Sequence, residues 1–129
     1  MTSTIDLNTL IEKACEEPFV LDLSGDKIRF ETGTDASVTH PTLQEVQSAL
    51  QKVPHSRREL IKVLDLSRND LMQSDLRAVA AVLSELPHVI ELNLELCPFR
   101  IVSAAAMQRL TRIPSLKRVI LLRTFQCTF

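Results

Sequence analysis

A recurring spacing of apolar residues is the most regular feature of this chain. Residues 61–71 read IKVLDLSRNDL, with aliphatic residues at positions 61, 64, 66 and 71 and an Asn at position 69. Residues 89–99 repeat the spacing, with Leu92 lying 28 residues after Leu64, and residues 116–124 repeat it again, with Val119 a further 27 residues on. Apolar residues that alternate with polar ones predict short strands, so each of these stretches is expected to contain one.

The segments between the predicted strands also repeat. Each carries apolar residues at helical spacing and stops near a proline, Pro87 in the first case and Pro114 in the second. The pattern predicts helices near residues 75–86 and 103–113. Strands at 61–66, 89–94 and 116–121 should then lie side by side and parallel, in that order, because each helix carries the chain back across the sheet.

An earlier copy of the unit begins at Val20-Leu21-Asp22-Leu23, 43 residues before Leu64, and its helix over residues 43–53 follows a longer loop. Residues 19–31 have a second interpretation, since Ser24-Gly25-Asp26-Lys27 is also typical of a hairpin turn with residues 28–31 as the returning strand. Residues 5–17 predict a helix that covers the first unit. The chain is thus a single domain over residues 1–129, with a cap helix at 5–17, about four units at 18–124 and a tail at 125–129.

The stretch Leu64-Asp65-Leu66-Ser67-Arg68-Asn69, with its copy ending in Cys97, resembles the ribonuclease-inhibitor-like subfamily of leucine-rich repeats. The resemblance implies an α/β fold, a short solenoid with parallel strands on the concave side and α-helices on the convex side. It also implies that Asn69 and Cys97 are ladder residues, the Asn turning the chain out of its strand and bonding the backbone of neighbouring turns. For function it implies only a class, namely proteins that bind other proteins.

Composition and charge argue against several classes of function. The net charge is −1, with 15 basic and 16 acidic residues, so the composition lacks the excess of positive charge that is typical of proteins that bind nucleic acid. We expect no membrane span and no signal peptide, because no apolar run is long enough and the N-terminus has neither a basic segment nor an apolar core. The three cysteines form no CxxC pair, which argues against a disulfide framework or a zinc site and favours the cytoplasm.

Candidate chemistry in the sequence is sparse. There is no phosphate-binding glycine loop, no GxSxG and no HExxH motif, and the three His residues fall next to proline-containing turns. Asp22 and Asp65 should lie side by side on adjacent strands, and such a pair of carboxylates can act in acid–base catalysis. In a repeat fold the favoured interpretation is that aligned side chains of this kind recognise a binding partner. We therefore expect no catalytic residue, no metal site and no cofactor.

The concave strand face is the predicted binding surface for a protein partner of unstated identity. Alternate strand residues should be displayed there, acidic in the middle of the face and basic and apolar towards its C-terminal end. Reversing Asp65 and Glu91 to Lys is expected to abolish binding while leaving the melting temperature nearly unchanged. The residues on this face are Asp22, Val63, Asp65, Ser67, Arg68, Glu91, Asn93, Glu95, Arg118, Ile120, Leu122 and Arg123.

A regulator of a small GTPase is the alternative function, because an activating-protein family shares this type of repeat. Such a regulator can insert an Arg into its partner's nucleotide site, a role for which Arg68 and Arg123 are the candidates. Ordinary exposed arginines account for both residues without it.

The C-terminal edge is predicted to be an unpaired, apolar last strand. Such an edge exposes backbone groups that need a partner. It would be covered by self-association or by a partner, with Phe125 and Phe129 as contacts, by further chain, or by the tail folding back on the core as its own cap.

Overall fold

The computed structural model describes residues 7–24, 43–69, 76–95, 104–122 and 125–128. Strands and helices alternate along most of these ranges. The predicted helices and parallel strands are present, and a short helix at residues 55–58 and a last strand at residues 125–128 add to them. The elements are α1 (Leu7–Ala14), β1 (Val20–Asp22), α2 (Leu43–Gln51), α3 (His55–Arg58), β2 (Val63–Asp65), α4 (Leu76–Ser84), β3 (Glu91–Asn93), α5 (Ala104–Thr111), β4 (Arg118–Leu122) and β5 (Phe125–Thr128).

The five strands form one sheet in the order β1-β2-β3-β4-β5, and the first four are parallel. The register joins the residues that the repeat spacing equates: Leu21 lies opposite Leu64, Leu64 opposite Leu92, and Leu92 opposite Val119. The predicted parallel pairing and its order are confirmed. The protein is an α/β fold with a four-stranded parallel sheet and helices.

The repeated apolar positions form the core because one side chain in each short strand points towards the helices. The central residues Leu21, Leu64, Leu92 and Val119 are all fully buried. They belong to one apolar cluster with residues from α1, α2, α4 and α5, among them Ile11, Leu50, Leu83 and Leu110. Leu23, Leu66 and Leu94, two positions further along each unit, are fully buried as well.

The N-terminal unit follows the repeat interpretation at its strand. β1 pairs in parallel with β2, with Val20 opposite Val63 and Asp22 opposite Asp65. The returning strand of the alternative hairpin, residues 28–31, lies outside the described residues. α1 contacts both β1 and α2, and it buries Leu10, Ile11 and Ala14 against them. This helix therefore packs at the β1 end of the sheet, where the sequence predicts a covering helix.

The prediction of an unpaired last strand is wrong. β5 pairs antiparallel with β4, with Arg118 opposite Thr128 and Ile120 opposite Gln126. The pairing contains an irregularity between Ile120 and Leu122. Because β5 satisfies backbone groups along β4, the tail itself covers this edge, as in the fold-back alternative. Phe125 begins β5, and Phe129 lies outside the described residues.

Candidate functional site

Two rows of side chains cross the sheet on the side opposite the helix-packed core, and we call this surface the outer strand face. Its members are the first and third residues of β1, β2 and β3 and their partners in β4. In β1, β2 and β3 these residues are half-buried while the residue between them is buried. The first row is Val20, Val63, Glu91 and Arg118, and the second is Asp22, Asp65, Asn93 and Ile120.

Three side chains of the second row bond the backbone just after their strands, which the alternation of strand residues does not predict. Asp22 Oδ1 accepts a hydrogen bond from the Ser24 amide at 3.1 Å, and Asp65 Oδ1 accepts one from the Ser67 amide at 3.0 Å. Asn93 Oδ1 accepts in the same way from the Glu95 amide at 2.9 Å. A side-chain oxygen bonded to the amide two residues on is an Asx turn. The same turn therefore ends three successive strands.

Ser67 is a correction to the predicted face. The strand alternation that places residues 63 and 65 outwards predicts an exposed Ser67, but its exposed fraction is only 9%. The alternation fails because the Asp65 turn bends the chain at Ser67, and the next residue, Arg68, has a left-handed backbone with φ of 61°. Ser67 is therefore less exposed than the strand alternation predicts.

Arg68 and Glu95 lie just beyond the strand ends. Arg68 is exposed and Glu95 is half-buried. The Arg68 amide donates to the Glu95 carbonyl oxygen at 2.9 Å, so backbone pairing continues past the Asx turns. Arg68 has the exposure that the GTPase-regulator alternative requires, whereas Arg123 lies outside the described residues. Leu122 closes β4.

Two charged residues of the first row compensate each other across neighbouring strands. Glu91 and Arg118 are register partners on β3 and β4, and the Arg118 guanidinium bonds the Glu91 carboxylate. Glu91 is 16% exposed and Arg118 is 48% exposed. The pair compensates its own charges, so the acidic character of the outer strand face is concentrated at Asp22 and Asp65.

Asn69 bonds the backbone of the preceding unit, as expected from the resemblance. Its exposed fraction is 3%, and its side-chain amide donates to the carbonyl oxygen of Leu23 at 2.8 Å and to that of Leu66 at 3.0 Å. Leu23 belongs to the preceding unit, so the bond joins neighbouring turns of the chain. The corresponding Cys97 lies outside the described residues.

A polar cluster on the helix side joins α2, the last residue of α3 and the residue that follows α4. Glu85 accepts hydrogen bonds from Gln47, Gln51 and Arg58 at 3.2, 2.9 and 2.9 Å. Burial on its own raises the pKa of Glu85, but hydrogen bonds from Gln51 and Gln47 and the charge of Arg58 outweigh it, so that pKa is lowered. No sequence pattern predicts this cluster, because its members come from separate units.

Cys15 and His55 are two described residues whose side chains could take part in chemistry. The Cys15 sulfur lies 3.4 Å from the Ile11 carbonyl oxygen and 3.5 Å from that of Arg57, beside a cleft of about 180 Å³. His55 is 63% exposed and pairs with Glu59 at 3.0 Å. Within the described ranges no three His, Cys, Asp or Glu residues are placed to hold a metal ion together.

Comparison of the chain with protein-family models, curated proteins and solved structures finds no match. In the part of the chain that the structure describes, no helix has the length and apolarity that crossing a membrane requires. Function is therefore inferred from the geometry of the outer strand face.

Proposed function

We propose that the chain is a short leucine-rich-repeat solenoid that acts as a non-catalytic protein-interaction module. Its outer strand face would be the concave side of the solenoid and would bind a protein partner. The observation that carries the proposal is the in-register stacking of four parallel strands, which aligns their outward side chains in two rows across adjacent units. Repeat proteins use such extended faces for binding.

The composition of the face suits a protein partner. Half-buried Val20, Val63 and Ile120 provide apolar area, and aspartates and an ion pair lie between them. Protein interfaces combine apolar contacts with polar groups that fix register and choose the partner. We also propose a cytoplasmic location, since three cysteines, an odd number without close spacing, do not predict a disulfide framework.

A double charge swap tests the face without removing its ion pair. Glu91→Arg combined with Arg118→Glu keeps opposite charges on facing residues of β3 and β4 and reverses the order in which a partner meets them. The natural partner would first be captured on the immobilised wild-type chain and identified by mass spectrometry. The purified partner would then be titrated against both proteins, with thermal melting of each to verify folding.

We expect the swap to weaken binding by about tenfold or more while the melting temperature stays close to the wild-type value. The matched control is Arg77→Glu, since Arg77 is an exposed residue of α4 on the helix side; it should bind as the wild type does. Unchanged binding by the swapped protein, or equal loss in the control, would show that the partner contacts another surface.

A further inference from the structure

The charge of Asp22 and Asp65 exceeds what their turns require. Asn93 occupies the equivalent position in the next unit and makes the same bond with a neutral amide oxygen, at 2.9 Å against 3.1 and 3.0 Å for the two aspartates. The Asn93 turn therefore shows that a neutral Asn side chain is sufficient to end a strand at this position. The two negative charges call for a different explanation.

Each carboxylate uses one oxygen in its turn. Oδ1 of Asp22 and of Asp65 accepts the local amide, and within the described residues neither carboxylate forms an ion pair with Lys or Arg. The two side chains are register partners on β1 and β2, so their Cα atoms lie about 5 Å apart. Both are half-buried, which strengthens their attraction for a cation relative to that in open water.

Two valines extend this pair of charges into an amphipathic surface. Val20 and Val63 are also register partners and lie two residues before Asp22 and Asp65 on the same face. Residues two apart along a strand are separated by about 6.5 Å. A long cationic side chain can therefore lie along the strands, with its aliphatic stem on the valines and its charged end at the aspartates.

We propose that the quartet Val20, Asp22, Val63 and Asp65 binds an arginine side chain of the protein partner. Its guanidinium spans the second carboxylate oxygens, Oδ2, of the two aspartates. Arginine fits this arrangement better than lysine because its planar fork of donors can bond two acceptors at once, whereas an ammonium is a compact point charge. This inference rests on the proposed function and names the chemistry that the outer strand face selects.

Three blocked tripeptides provide the probe: acetyl-Gly-Arg-Gly-amide and its lysine and citrulline counterparts. Citrulline keeps the shape of arginine and removes its charge. Each peptide would be titrated into the full chain, and the methyl signals of Val20 and Val63 would be followed by NMR. The test variant is Asp22→Asn with Asp65→Asn, which keeps the turn acceptor as Asn93 does. The control, Glu12→Gln with Glu16→Gln, removes two exposed acidic charges elsewhere.

We expect saturable shifts of the valine methyl signals with the arginine peptide. The affinity should fall about tenfold or more for the double Asn variant and remain unchanged for the control. Thermal melting should show that the Asn variant folds as the wild type does. Equal binding by the Asn variant, by citrulline or by lysine, or shifts confined to other parts of the chain, would overturn the proposal.

The result is separable from that of the charge swap. If the swap releases the natural partner and the arginine peptide fails to bind, the arginine site is wrong and the binding face stands. If the peptide binds the quartet and the swap leaves partner capture unchanged, the proposed function fails, and only the affinity of the quartet for an arginine side chain stands.

Discussion

The side-chain amide of Asn69 donates a hydrogen bond to the carbonyl oxygen of Leu23 at 2.8 Å, across 46 residues of sequence. The same amide also bonds the Leu66 carbonyl oxygen at 3.0 Å and lies 3.3 Å from that of Ser67. All of these contacts are buried, so one side chain satisfies backbone groups of two neighbouring units where no water reaches them. A buried carbonyl without a donor is costly.

Replacement of Asn69 should therefore destabilise the fold. We expect Asn69→Ala to lower the free energy of unfolding by about 1 to 3 kcal/mol, measured by urea denaturation. Asn69→Asp should cost more, because it keeps the shape but directs a negative charge at carbonyl oxygens. Asn69→Cys should cost less than Asp, since a thiol remains a weak donor. An Asp variant as stable as the wild type would contradict the donor role.

Arg68 has a left-handed backbone, with φ of 61°, immediately after the turn formed by Asp65. A β-branched residue is strongly disfavoured in this region, whereas glycine adopts it freely. We expect Arg68→Val to be less stable than Arg68→Gly by about 1 to 2 kcal/mol. Both variants lose the arginine side chain, so the comparison isolates the backbone; equal unfolding midpoints would mean that φ at this position is not constrained.

Glu85 and Arg58 form a partly buried pair, with each side chain 16% exposed. Arg58 also donates to the Val53 and Glu85 carbonyl oxygens, at 3.1 and 3.2 Å. The pair therefore joins the link before β2 to the end of α4. Since the pKa of Glu85 is lowered in the folded chain from its ordinary value of 4.5, its ionised form favours folding.

The sign of the pH effect follows from this shift. The contribution of ionised Glu85 is fully present above its ordinary, unfolded-state pKa of 4.5 and is lost as the pH falls through the lower folded-state pKa. Glu85→Gln should be less stable than the wild type by about 1 kcal/mol at pH 7, and the difference should shrink below pH 4.5. Urea denaturation from pH 7 to pH 3 measures it, with Glu12→Gln as the exposed control. A difference independent of pH would contradict the ionised role.

The parallel sheet could be predicted because its information is local and repeated. Leu64, Leu92 and Val119 are equivalent by spacing alone, and their equivalence fixes strand order and register together. The role of Asn69 was expected from the resemblance to leucine-rich repeats, and its bonds to Leu23 and Leu66 agree with that expectation. These features depend on which face a residue occupies, and periodicity determines that face.

The details of the outer strand face could not be predicted in the same way. Alternation places Asp65 outwards but does not show that its oxygen binds the Ser67 amide, nor that Arg118 reaches Glu91. These contacts affect how a binding measurement on the Asp65→Lys with Glu91→Lys variant would be interpreted. It removes an Asx turn and an ion pair as well as two surface charges, so a loss of binding would be mixed with a loss of stability. Asp→Asn substitutions and the paired charge swap avoid that mixture.

The sequence suggested, as one alternative, a tail that folds back as its own cap, but it did not predict the antiparallel strand β5, because Arg123-Thr124 contains none of the Gly, Asn or Pro residues that usually mark a reversal. Its pairing with β4 makes a direct prediction. Deletion of residues 125–129 exposes the backbone of Arg118–Leu122, and an open edge strand pairs readily with another chain. We expect the shortened chain to melt at a lower temperature and to associate more strongly with rising concentration than the full chain does. Sedimentation velocity over a wide concentration range, with thermal melting of both proteins, provides the measurement.

The Gln126→Pro variant serves as a second test, because proline cannot donate a backbone hydrogen bond within β5. If deletion leaves both sedimentation and melting unchanged, β5 does not protect this edge in solution.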